Sequence, residues 1–307
     1  MSYLLSKNIL ATVTYYDVLN MPLSAFEIWR HLIRYDTEAP EQVSSCSLMD
    51  VYTCLTAGNL DANIDEQQGF YFLRGRQHLI APRIRAEKIS VSKLKRLRHL
   101  AALLIYLPYV RMLGITGSLA MKNSTSASDW DIFVVLRSGK IWTGRTLLTG
   151  LLHCIGKRRY GHKIQNRVCL NYFVTDDNLE ISTKDLFSAH EYRFLVPLLY
   201  FTMFQIFELK NRWIRTYHPN FILTTLPSRW TFKDTALTQS LRKLLERVCD
   251  LVNVEQWLAR WQKEKIERNP KTYVEGSLVE ANDHTLVFLP HPRGPHIFEK
   301  FKERLSV

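Results

Sequence analysis

The chain of 307 residues is expected to be an α+β protein, and three observations lead there. Capped helical patterns and one strand pair fill residues 1–76, apolar strand-like runs alternate with a helix over 109–185, and helical periodicity returns over 186–307. A basic helix over 77–108 connects the first two regions. With 46% hydrophobic and 23% charged residues, the composition is that of a chain that folds.

Residues 8–19 have a helical pattern. "LSAFEIWRHLI" is a second helix, because Ser24 and Glu27 make an S-x-x-E capping box ahead of apolar positions at helical spacing. Residues 47–57 form a third helix, ended by Gly58. "LDANIDEQQGFYFLRG" then holds two short strands around a polar turn. Three helices and a hairpin within residues 1–76 resemble a winged helix-turn-helix domain. The stretch 44–60, which includes its third helix, carries no Lys or Arg and contains Asp50, so sequence-specific DNA binding is not expected there. Packing, acceptor binding or protein contact fits that composition better.

From His78 the pattern is helical, first basic and then apolar, until Pro108 ends it. "VRMLGIT" and "DIFVVL" read as buried strands, "GRTLLTGLLHCIG" as a helix and "RVCLNYFV" as a further strand. Ser188 and Glu191 are read as the cap of a helix reaching Lys210, which makes the apolar run Phe194 to Phe207 a buried helix, and His190 a residue serving helix solvation. Residues 231–265 add helix, and Trp213 and Tyr217 stand four apart on a packed helix face. The tail predicts a hairpin around Asn282-Asp283 and a short amphipathic helix over 296–305.

The run at 194–207 has fourteen residues, short of the roughly 20 that cross a bilayer. No membrane contact is expected. Five scattered cysteines without C-x-x-C spacing, and an N-terminus without a signal-peptide pattern, predict a cytoplasmic location. Net charge is +12 and unevenly spread: residues 74–98 carry nine Lys or Arg against Glu87 alone, and residues 137–167 carry eight against no acid. Two such stretches suit a polyanionic ligand and an RNA or protein acceptor, and a solvated surface is the plainer reading of each.

The stretch "GITGSLAMKNSTSASDWDIFVVL" holds the candidate chemistry. On a strand, Asp129 and Asp131 project from one face while Trp130 points the other way. Adjacent carboxylates repel unless a cation bridges them, and magnesium or manganese, which take oxygen ligands and substrate phosphates, are suited to that. Gly117 and Ser118 would supply free backbone N–H groups at a helix start, where phosphate is favoured.

In these residues the sequence resembles the DNA polymerase β-type nucleotidyltransferases, whose pattern is an apolar residue, Gly-Ser, a spacer and Asp-x-Asp within a strand. The resemblance covers residues 110–180. It implies Asp129 and Asp131 as ligands of magnesium or manganese and Gly117 and Ser118 as holders of an NTP's phosphates, with Lys122 where an arginine is usual. The implied reaction is transfer of a nucleoside monophosphate from an NTP to an acceptor, which the sequence leaves open among RNA, protein and small molecule.

The pattern breaks at the third carboxylate. "RVCLNYFV" offers Asn171, which can ligate a metal but cannot accept a proton as a carboxylate does, and Asp176, Asp177 and Glu180 lie beyond that strand. The alternative is therefore an inactive nucleotide-sensing or nucleic-acid-binding regulator on the same fold. Lys157, Arg158, Arg159, Lys163 and Arg167 follow the aspartate strand and are placed to reach a triphosphate or an acceptor.

Overall fold

The computed structural model describes residues 2–34 and 46–305. Residues 44 and 45, the first two of the stretch 44–60, lie outside them.

Helix α1, Ser2–Val18, begins six residues earlier than the pattern predicted. Helices α2, Ala25–Arg30, and α3, Leu48–Thr56, start where their boxes place them: Ser24 pairs reciprocally with Glu27, and Ser47 with Asp50. Strands β1, Ile64–Gln67, and β2, Phe70–Leu73, are antiparallel with Gln67 opposite Phe70. Gln68 and Gly69 between them both have positive φ, the two-residue turn whose twist matches a hairpin. Ile9, Tyr16, Leu23, Ile28, Val51 and Ile64 bury together as one core of this unit.

A single 3-10 turn, Gln77–Leu79, leads into α4, Ile80–Leu104. Then come β3, Val110–Ile115, the four-residue α5, Gly117–Ala120, β4, Trp130–Leu136, α6, Ile141–Cys154, and β5, Val168–Thr175. Strands β4 and β5 run parallel through the α6 crossover, while β3 is antiparallel to β4. The chain is thus mixed α/β with a mixed sheet, as the alternation of strands and helix predicted.

The run Phe194 to Phe207 is not one helix. Asp185, not Ser188, caps α7, Leu186–Arg193, by accepting the Ser188 N–H at 2.7 Å. Residues Val196–Leu199 then form β6, an edge strand antiparallel to β3. Pro197 accounts for this, since it lacks the N–H a helix interior needs and is tolerated at a sheet edge. Tyr200 turns the chain with φ 58° into α8, Phe201–Lys210, followed by α9, Ile214–Tyr217. Trp213 and Tyr217 do meet, edge to face at 6.4 Å. His190 is 1% exposed, against Tyr15, Tyr16 and Phe194, so it serves packing and not helix solvation.

Helices α10, Ala236–Asp250, and α11, Glu255–Glu267, precede the hairpin of β7, Leu278–Ala281, and β8, Thr285–Leu289, and the last helix is α12, Gly294–Leu305. The hairpin does not stand apart: β8 pairs with β5, giving the strand order β6-β3-β4-β5-β8-β7. Helices α4, α6 and α11 cover one face of this sheet through Leu97, Leu148, Leu152 and Leu258, and α7, α8 and α9 cover the other through Tyr192, Phe204 and Ile214. Phe301 of α12 buries in the N-terminal core, and Arg304 pairs with Asp17.

Helix α10 is attached by its polar side. Glu246 accepts from Arg111 at 2.7 Å and from the Tyr109 N–H at 2.9 Å, and Asp250 meets Lys140 at 2.8 Å and Arg137 at 3.2 Å. Leu237, Leu241, Leu244 and Val248 face outward, exposed.

Candidate functional site

Strand β3 ends at Ile115 and β4 begins at Trp130, so the antiparallel pairing brings the Gly117 turn beside the two aspartates; the last rung is the Thr116 N–H to the Asp131 carbonyl at 3.0 Å. Trp130 buries in the core and fixes the start of β4, with Asp129 just before it and Asp131 one residue inside. One ligand atom each of Asp129, Asp131 and Cys169 falls within 4.8 Å of the others.

The approach of Gly117 is close. Its φ is +64°, and a Cβ added there would stand 2.7 Å from Asp131 Oδ2, so glycine alone suits the position. Its N–H is not free for phosphate, as the sequence suggested, but donates to Glu191 Oε1 at 2.7 Å. Ser118 Oγ lies 3.1 Å from Ser124 Oγ. Lys122 turns instead toward α4, pairing with Glu87 at 3.2 Å on the surface.

The electrostatics are those of crowded, partly buried acids. Burial, and then the neighbouring Asp129, lift the Asp131 carboxyl from 3.8 to about 6. Burial and the charge of Asp131 lift Glu191 to about 7, against the opposing bond from Gly117. The Cys169 thiol is pushed up to about 12 by burial and by the two aspartates, so it stays protonated and donates to Asp131. Three cations answer this charge: Arg293 acts on Asp131 and Glu191, Arg159 Nη1 reaches Asp129 at 2.5 Å and lies 3.5 Å from Cys169 Sγ, and Lys93 Nζ holds the Ser128 carbonyl at 2.6 Å.

Glu191, Cys169 and Lys93 were not singled out from the sequence. Glu191 sat in a misassigned capping box, and Lys93 was one cation among nine. Cys169 was hidden by a bulge: Asp131 pairs with Cys169 but Phe133 pairs with Tyr172, leaving one extra residue in β5 between them. Leu170 packs toward one sheet face and Tyr172 toward the other, so Asn171 is that extra residue, and Cys169 is the one opposite Asp131. Asp176 and Asp177 bind the Ser138 turn, and Asp176 N–H bonds Leu136 at the far end of β4, roughly 17 Å from Asp131 at strand rise.

Part of the 74–98 stretch is internal. Arg83 pairs with Glu27 at 2.8 Å and Arg76 with Asp17 at 3.0 Å, whereas Arg85, Lys88, Lys95, Arg96 and Arg98 are exposed or partly so. Among the described residues no helix is long and apolar enough to cross a membrane. Comparison of the chain with protein-family models, with curated proteins and with solved structures returns no match.

Proposed function

We propose that the protein is a metal-dependent nucleotidyltransferase, built on a nucleotidyltransferase-type core with an N-terminal winged helix. The carrying observation is the convergence of Asp129 and Asp131 beside a turn that only glycine can make. The donor set fits magnesium or manganese: two carboxylates supply hard oxygen ligands, and the protonated Cys169 thiol is no competitor that would select a softer ion. Bound there, the ion would neutralise charge on phosphate oxygens.

In this reading an acceptor hydroxyl attacks the α-phosphorus of an NTP. A P–O bond forms, the α–β bridging bond breaks, pyrophosphate leaves, and the hydroxyl proton passes to solvent. The phosphates lie on the β3 side, at Ser118, where Glu191 gives up the Gly117 N–H to a phosphate oxygen. With an ion held by Asp129 and Asp131, Arg159, which now pairs with Asp129, would be available to offset phosphate charge.

A second reading, nucleotide binding without transfer, is favoured by Cys169 and Asn171 occupying β5, where neither can take the hydroxyl proton at neutral pH. In that reading α3, which exposes Met49 and Tyr52 and no cation, contacts a protein partner. Incubation with labelled NTPs, manganese and cellular RNA or protein separates the two. Transfer abolished by Asp129→Ala supports the enzyme, whereas saturable nucleotide binding with no transfer supports the sensor.

A further inference from the structure

Two chambers open on the β5 side of the aspartate pair. The inner one, about 270 Å³, is lined by Arg145, Arg158, Arg159 and Lys271 and reaches Cys169. The outer one, about 650 Å³, shares Arg145, Arg158 and Lys271 with it and continues between α6, α11 and the β7–β8 hairpin, against Trp261, Ile266 and Phe288. No Asp or Glu lines either chamber.

Three of the four inner cations lack counterions. Arg159 has Asp129, but Arg145, Arg158 and Lys271 pair with no acid among the described residues. Arg145 donates to Gln262 and lies 4.6 Å over the Phe288 ring, contacts that hold its guanidinium without neutralising it. Gathering like charges in a partly enclosed space is costly unless an anion enters. The outer chamber has a different character. Trp261, half exposed, stacks on Trp257 with planes 1° apart and carries Lys265 Nζ 5.3 Å over its ring, the place a base would take, and the wall combines Ile266, Phe288 and Pro290 with the polar Thr146, Thr149 and Asn269. A phosphate alone would need no such wall, and a chamber of this size matches a small planar ligand.

We propose that these chambers bind a nucleotide, its phosphate among Arg145, Arg158 and Lys271 and its base against Trp261. The strand order gives it a role. Gly117 follows β3 and the chambers adjoin β5, so the two sites flank the aspartates of β4. The β5 site is then the acceptor site, and the acceptor is itself a nucleotide, free or at the end of a single strand. That role rests on the transferase reading; the binding does not.

The test is isothermal titration of the full chain with AMP and with penta-adenylate, in EDTA, so that the aspartates hold no ion. Saturable binding is expected. Trp261→Ala should weaken it about tenfold, the scale of one lost base stack, and Lys271→Gln, an exposed position that leaves the core intact, about fivefold, one exposed ion pair. Arg145→Gln should weaken it further. Tighter, salt-steep binding of penta-adenylate marks a strand end, and equal binding of both marks a free nucleotide. No binding of either ligand, or binding indifferent to both Trp261→Ala and Lys271→Gln, overturns the proposal. Binding that passes these tests in a protein showing no label transfer with any acceptor keeps the site and sinks the transferase reading.

Discussion

Asp131→Asn should stabilise the metal-free protein. In the unfolded chain this carboxyl loses its proton near 3.8, and in the folded protein near 6. Between those values the folded state holds the extra proton, so stability contributed by the group falls as pH rises through the window, and the full penalty stands above about pH 6. At roughly 1.4 kcal/mol per pH unit it amounts to about 3 kcal/mol at neutrality. Asparagine keeps the shape and removes the charge. The bond from Cys169 is already part of that balance, so the net gain is about 3 kcal/mol. Urea unfolding in EDTA should show that gain at pH 7.5 and almost none at pH 4. Manganese at a hundredfold excess over its Kd should then stabilise the wild type by about 2.7 kcal/mol and leave the variant unmoved. A variant less stable than wild type in EDTA at pH 7.5, or one that gains as much from manganese, would refute the account of this site.

Three further outcomes can be measured. Gly117→Ala forces a left-handed alanine, about 1–2 kcal/mol, and drives its Cβ onto Asp131, so manganese affinity should fall at least tenfold with an unchanged far-ultraviolet spectrum; an unaltered affinity would contradict the close approach. Burial holds His31, His190 and His218 below the ordinary 6.5, His190 at about 3, so below pH 6.5 the unfolded chain takes up protons that the folded one refuses. The urea midpoint should therefore drop between pH 7.5 and pH 5, and less steeply in His190→Gln; a flat profile would argue against their burial. Glu246→Ala leaves the Tyr109 N–H unpaired and Arg111 to Asp176 at 3.7 Å, and should cost about 2 kcal/mol, whereas Leu244→Lys on the same helix should change stability by less than about 0.5 kcal/mol. Equal costs would mean that α10 is not attached by its polar side.

Local signals were legible wherever they were chemically specific. The box at Ser24, the third helix ahead of Gly58, the hairpin within residues 60–75 and the Asn282-Asp283 hairpin each depend on a few neighbouring residues, and each stands where the sequence placed it. The convergence of Asp129 and Asp131 was readable from strand periodicity for the same reason. What sequence reading missed depends on distant partners. A run as apolar as Phe194 to Phe207 suits a buried helix or a buried strand equally, and only the open edge of β3 decided for β6. The β5 bulge exchanged Asn171 for Cys169 because strand register is set by pairing with β4, which no local pattern encodes. Glu191 became part of the site through α7 docking across the sheet, and Lys122 left it because Glu87 on α4 stands within reach.

The pairing of β8 with β5 and the seating of Phe301 among the residues of α1 set an order on biosynthesis. As the chain leaves the ribosome, β5 has one lateral neighbour ready and must wait for more than a hundred further residues before the other arrives. Until residues 278–305 emerge, a strand edge and the groove beside α1 stay open to whatever the cell supplies. Early termination or slow translation of that last segment therefore leaves a nascent protein with two unfinished cores, a natural client for chaperones.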